Sequence, residues 1–188
     1  MTMDMLEMMA KRRSVPPQAM TGAGPSEAEI KQILTLAARV PDHGKLVRWR
    51  FIVFEGDARL KAGEAIAAAY LLEKPQASAE AVAMERGRLA RAPLVVAVVG
   101  RTGPHGKIPE WEQHMTLGAV CMSLSFAAQG LGYATCWLTE WFSYNRQVLD
   151  ALGLEPQERM AGFVHIGRSD ARPAERERPD LAMITSRF

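Results

Sequence analysis

The stretch PLVVAVVG, Pro93–Gly100, carries the clearest structural signal in the chain. Its apolar run is rich in valine and stops at a glycine, which predicts a strand. Before it, WRFIVFEG (Trp49–Gly56) predicts a second buried strand. After it, Tyr133–Leu138 and MAGFVHIG (Met160–Gly167) predict two more. Helical patterns separate them: Asp57–Leu72, Ala77–Ala90, Trp111–Gln129 and Arg146–Leu152, the last ending at Gly153. Ser26 and Glu29 form a capping box that opens a further helix, and Pro41 stops it near Arg39. Alternating strands and helices with about four strands predict an α/β or α+β fold.

The helix over Trp111–Gln129 has an unusual middle, MTLGAVCMSLSFAAQG, which is apolar or small almost all round. Such a helix is expected to be buried on all sides, inside the domain or at a subunit interface. The interface is the preferred reading, because Gly118, Ala119, Ser123 and Ser125 allow close approach of a neighbour. The tail SDARPAERERPDLAMITSRF is charged and then turns apolar at Leu181–Ile184, so it too is expected to pack on something.

The 188 residues suit one domain, and 48% hydrophobic content is ample for a core. A formal net charge of +2 without a basic stripe argues against a nucleic-acid partner. Cys121 and Cys136 show no metal or redox spacing and fit reduced thiols in a cytoplasmic protein. Asp4 and Glu7 interrupt the first apolar run, so no secretory leader is expected there. No apolar stretch reaches the ~20 residues of a membrane helix.

A self-contained catalytic constellation is missing. GLGYAT (Gly130–Thr135) imitates part of a dinucleotide fingerprint, but it runs from helix to strand, the reverse of the required order. Glu110 and His114 lie four apart and read as a surface pair, without a third nearby metal ligand. Asp42-His43 reads as turn chemistry within Pro-Asp-His-Gly. His165 alternates with Val164 and Ile166 and reads as structural or outward-facing. An enzyme with this sequence therefore leans on a cofactor.

KRRSV, Lys11–Val15, follows a short helix expected over Met3–Lys11. Cations at a helix C-terminus offset its negative dipole end. Two arginines with their donor forks beside Ser14 equally suit a phosphate. Physics alone leaves the two readings level.

Several segments taken in order resemble the FMN-dependent nitroreductase family, in particular its short single-domain branch. They are the triplet Arg12-Arg13-Ser14 after an N-terminal helix, ARVPDHGKLVRWRFIVFEG, RAPLVVAVVG, WEQHMTLGAVCMSLSFAAQGLGY, ATCWLTEW, and ERMAGFVHIG followed by ERERPDL. The resemblance runs from Met5 to the C-terminus. It implies a mixed, mainly antiparallel central sheet flanked by helices, in a single domain over 1–188. It implies a homodimer with the long helix at its interface and residues 168–188 reaching across the partner. FMN would lie between the subunits. Arg12, Arg13 and Ser14 match the triplet that holds its phosphate, ribityl chain and pyrimidine edge. Arg39 and His43 match positions reaching the flavin from the other subunit. Trp137, Leu138 and Thr139 match the turn near the ring, and Arg176 and Arg178 resemble basic residues near the phosphate.

The activity implied is a ping-pong reduction: NADH or NADPH reduces FMN, and a nitroaromatic, quinone or similar small molecule then takes two electrons. A non-catalytic flavin-binding protein and a flavin-consuming or dehalogenating relative are the alternatives on the same fold. Where many relatives carry Asn-Ser-Gln-Pro before the strand tryptophan, this chain has Lys45-Leu46-Val47-Arg48.

Overall fold

The computed structural model describes residues 5–188. Four strands form one sheet: β1 (Trp49–Glu55), β2 (Leu94–Gly100), β3 (Ala134–Leu138) and β4 (Arg159–Gly167). Their spatial order is β1-β2-β4-β3, and every pairing is antiparallel. All seven residues of β2 are buried. Leu94, Val96 and Val98 belong to one core, whereas Val95, Ala97 and Val99 belong to another. The unbroken apolar run thus reflects a sheet covered on both faces.

The first core packs under α2 (Glu27–Ala37) and α5 (Glu110–Gly130) through Ile30, Ile33, Leu117, Val120 and Leu124. The second packs under α3 (Asp57–Glu73) and α6 (Arg146–Ala151) through Ile66, Val148 and Leu149, with Phe142 and Phe163 at 5.2 Å between ring centres. Among the described residues three further α-helices, α1 (Met5–Lys11), α4 (Ala79–Arg86) and α7 (Leu181–Ile184), and four short 3-10 turns make up the rest of the regular structure. The start of the first expected helix, before Met5, lies outside the described residues.

The capping box at α2 is present: Ser26 N–H donates to Glu29 (2.8 Å) and Glu29 N–H donates to Ser26 Oγ (3.4 Å). The helix expected over Ala77–Ala90 is shorter and broken. Ser78 caps α4 by accepting from the Ala81 amide, which fixes its start. Gly87 ends it, and Arg88–Arg91 tighten into a 3-10 turn that delivers the chain to β2.

For α5 the sequence named two sources of burial, the domain and a subunit interface, and a single chain supplies the first. One chain buries a stripe of it, while Trp111 and Met115 are exposed at 70% and 53%. Gly118, Ala119, Met122, Ser123, Phe126 and Ala127 on its outer side are half-buried. Leu181, Met183 and Ile184 in the tail are exposed.

Gly63 lets α3 and α4 approach closely. A Cβ there would stand 2.0 Å from the Arg86 carbonyl oxygen, a backbone atom that cannot turn aside. Gly63→Ala is expected to force the helices apart at a cost of about 1–3 kcal/mol, read as a lower urea midpoint.

Candidate functional site

The segment after α1 runs along the open edge of β3. Val15 N–H donates to the Thr135 carbonyl at 3.1 Å. Val15 also packs with Met20, Ala92 and Cys136, joined by Ala134 and Leu138. Ser14 is exposed beside this contact. Backbone groups alternate along a strand. Because Thr135 turns its carbonyl outward, Trp137 presents its N–H and C=O to the same edge.

Arg12 and Arg13 line a cleft of about 480 Å³ with Gln129, Tyr133, Ser169 and Arg172. Lys11 turns back along its helix to Glu7 at 2.7 Å and leaves the two arginines to the cleft. Arg13 Nη1 is enclosed and has no hydrogen-bond partner among the described residues. A buried guanidinium nitrogen without an acceptor is costly, and an anion in the cleft would satisfy it. The residues present therefore fit the phosphate of FMN.

Trp137 itself points elsewhere, into a cavity of about 750 Å³ lined by Leu117, Gly118, Tyr144, Arg159 and Met160. Its indole N–H donates to the Ala161 carbonyl at 3.2 Å. Against β2 the register of β4 slips between Val98 and Val99, leaving Ala161 unpaired. At Gly162 any Cβ would lie 2.0 Å from the indole nitrogen, so glycine is required there. Thr139 is exposed where the chain leaves β3.

Arg39 and His43 lie apart from this region, whereas Arg176 and Arg178 stand beside Glu175, whose carboxyl also feels Arg13. Arg39 is exposed just beyond α2. His43 Nδ1 meets Glu112 at 2.6 Å in a shallow groove with Pro41 and Met115. Neither lines the cleft or the Trp137 cavity. Arg176 and Arg178 stand in the exposed tail, where Arg178 pairs with Glu175 at 2.8 Å. The Arg176 amide, helped by Arg178 and Arg13, holds the Glu175 carboxyl below its ordinary range. Arg172 lines the cleft and went unnoticed in the sequence, because a lone arginine in a tail without periodicity carries no signal.

Behind β3 the structure places polar groups that spacing does not reveal. His165 faces Cys136 across β3–β4 and is fully buried, which excludes the outward-facing reading. Neither ring nitrogen reaches hydrogen-bond geometry, although the Arg88, Phe163 and Cys136 carbonyls stand close. Burial, with the Arg91 guanidinium nearby, lowers its pKa to about 4. Burial also raises the thiol of Cys136, and pushes that of Cys121 up to about 12. Both thiols are free.

The low His165 pKa has a consequence for stability. Between pH 6.5 and 4 the unfolded chain takes up a proton that the folded chain refuses. The contribution is full above pH 6.5 and is lost as pH falls toward 4. It amounts to about 3 kcal/mol. Urea titrations across this window are expected to show that slope, and His165→Leu is expected to flatten it.

Among the described residues, no group of three or more His, Cys, Asp or Glu could hold a metal, and no helix is long and apolar enough to cross a membrane. Glu110 and His114 form an exposed pair at 3.5 Å.

Comparison with known proteins fits this geometry. The nitroreductase family model matches residues 9–168. The Escherichia coli K12 protein named "Putative NAD(P)H nitroreductase YdjA" is 30% identical over 167 residues, 88% of each chain. A nitroreductase-like family protein from Bacillus cereus superposes with a TM-score of 0.87 at 20% identity, covering 99% of this chain and 96% of that one. The FMN and NADPH-dependent nitroreductase NfnB from sphigopyxis sp. strain HMH gives a TM-score of 0.77 at 19% identity, with 99% of each chain covered. Ordered segments, fold and family match agree: this chain belongs to the nitroreductase family.

Proposed function

We propose that the chain is an FMN-dependent oxidoreductase that uses NADH or NADPH to reduce nitroaromatic, quinone or similar small acceptors in a ping-pong cycle. The observation that carries this reading is the enclosed, partnerless Nη1 of Arg13 in a cleft shared with Arg12 and Arg172. Family membership supports the redox class. FMN, when bound, supplies the acceptor and donor of two electrons, so the protein needs no acid–base pair of its own.

The residues have separate tasks in this scheme. Arg12, Arg13 and Arg172 neutralise the phosphate. Ser14 and the outward N–H and C=O of Trp137 meet the polar edges of the cofactor along β3. The indole of Trp137, fixed on Ala161, helps to wall the larger cavity. Positive charge beside the ring's pyrimidine edge would stabilise its reduced anionic form.

The working unit in this proposal is a homodimer. Arg39 and His43 lie outside the cleft of their own chain, so they serve the site of a second copy. The exposed Trp111 and Met115 of α5 and the exposed Leu181, Met183 and Ile184 supply apolar surface for such an interface. β1 is an edge strand, and a partner's tail laid along it would turn the antiparallel sheet into a larger one.

An absorbance spectrum before and after NADPH or NADH tests the proposal. The expected protein is yellow and bleaches on addition of a nicotinamide, and its colour returns with a nitroaromatic or quinone. Colourless protein that takes up no added FMN overturns the reading. A yellow protein that neither nicotinamide reduces is a flavin-binding protein without this activity.

A further inference from the structure

The turn that leaves β3 is gripped from behind by charge. Glu140, the residue after Thr139, accepts from Arg88 Nη1 at 2.9 Å and from both terminal nitrogens of Arg91. Arg88 also grips Glu85 with two nitrogens, at 3.0 and 2.6 Å. Glu85 accepts in addition from the Trp141 indole at 2.7 Å. The four charged side chains are only 4% (Glu85), 15% (Arg91), 19% (Glu140) and 22% (Arg88) exposed.

Resting on the flavin site proposed above, we infer that the Arg88–Arg91–Glu140 clamp is a positioning device for the flavin-facing turn, with Arg91 and Glu140 as its working pair. Three observations lead there. The first is energetic. Buried ion pairs seldom add net stability over apolar packing of the same volume, but they demand one geometry. Four charges gathered against a core that could have been apolar therefore fix a shape more than they strengthen a fold.

The second is placement. On one side of the turn the Trp137 indole is fastened to Ala161. On the other side the backbone at Glu140 closes on Ser143 through two hydrogen bonds, Ser143 N–H to its carbonyl (2.8 Å) and its own N–H to Ser143 Oγ (3.2 Å). Only Leu138 and Thr139 lie between these fastenings.

The third is the anchor. Arg91 Nε donates to the Arg88 carbonyl at 2.7 Å, inside the short turn that runs straight into β2. β2 is the most buried strand, so the clamp transfers the rigidity of the sheet's centre to its exposed edge. A binding turn held by packed partners keeps its geometry where a free loop would not.

The test uses purified full-length protein with added FMN. Glu140→Gln keeps the shape and removes the charge. The double variant Arg91→Leu/Glu140→Leu removes both charges together. Arg91→Lys keeps charge without the fork. Three quantities are read: FMN Kd by fluorescence quenching, the visible circular dichroism of bound flavin, and the midpoint potential at saturating FMN.

Glu140→Gln and the double variant are each expected to weaken FMN binding about tenfold or more and to change the visible dichroism. The double variant is expected to keep a melting temperature near that of the parent, which separates positioning from stability. Arg91→Lys is expected to fall between. Glu158→Gln, a perturbation of a buried ion pair remote from this turn, is expected to lower stability and leave the flavin dichroism unchanged. Parental Kd, dichroism and potential in both Glu140→Gln and the double variant overturn the inference while leaving the proposed function intact. A parent chain that binds no FMN overturns both.

Discussion

Replacing Arg13 with alanine is expected to weaken FMN binding by about tenfold to a hundredfold. A charge-assisted hydrogen bond to phosphate contributes roughly 1.5–3 kcal/mol, and the enclosed Nη1 has no competing acceptor to give up first. Arg12→Ala belongs in the same range, because Arg12 lines the same cleft. Arg13→Lys keeps the charge but loses the fork, so it is expected to recover part of the affinity. Fluorescence titration of each variant with FMN measures the effect. Unchanged affinity in both alanine variants, with normal folding, would return the KRRS segment to a helix-terminal role. That outcome would be surprising for one reason in particular: Lys11, paired with Glu7, already serves the helix.

The second large effect concerns stability. Glu158 is 1% exposed and accepts from Arg50 Nε (2.9 Å) and Nη2 (2.7 Å), from Arg101 Nε (2.7 Å) and from the Glu155 amide (3.0 Å). The Arg50 hydrogen bonds, with Arg101 and the amide, hold its carboxyl at about 2. This carboxylate joins the start of β1, the exit of β2 and the start of β4. Breaking a buried pair by removing one member costs about 3–5 kcal/mol. Arg101 is half exposed and can return to water, so Glu158→Ala is expected at the lower end, about 3 kcal/mol. Urea unfolding at neutral pH reads it directly. The acid limb follows with its own sign. Because the folded pKa is depressed, the stabilisation is complete above the unfolded value of about 4.5 and is lost as pH falls through about 2. A parent whose stability falls more steeply between pH 4.5 and 2 than that of the alanine variant would identify Glu158 as the source of the difference.

Local signals carried far in the sequence. The valine run announced β2 as a strand, and Ser26 with Glu29 announced the start of α2. Burial says nothing of strand direction, however, so the antiparallel ladder followed only from the family resemblance. The composition of α5 described a helix with neighbours on every side without saying which chain supplies them; one chain fully buries one stripe and half-buries the rest of its middle. For His165 the period-two pattern gave two faces without saying that both are covered. The arginine–serine triplet stood out because the guanidinium fork and a hydroxyl have a chemistry of their own, yet by itself it fitted a helix end as well as an anion. Arg172 and the Arg91–Glu140 pair were not, since the latter joins residues 49 apart and the former sits in irregular chain. Long-range polar partnerships leave no periodic trace.

The sheet order has a consequence for how the chain is made. β4 is last in sequence but lies between β2 and β3. During synthesis the valine strand therefore emerges with only β1 available to pair with it, and its second edge stays open until Gly167 has been reached. Both cores draw on β4, through Val164 and Ile166 on one face and Met160 and Phe163 on the other. Neither can close early. Non-local pairing of this kind folds slowly and leaves apolar edges exposed in the meantime. A nascent chain stalled between β3 and β4 would be the species most in need of a chaperone.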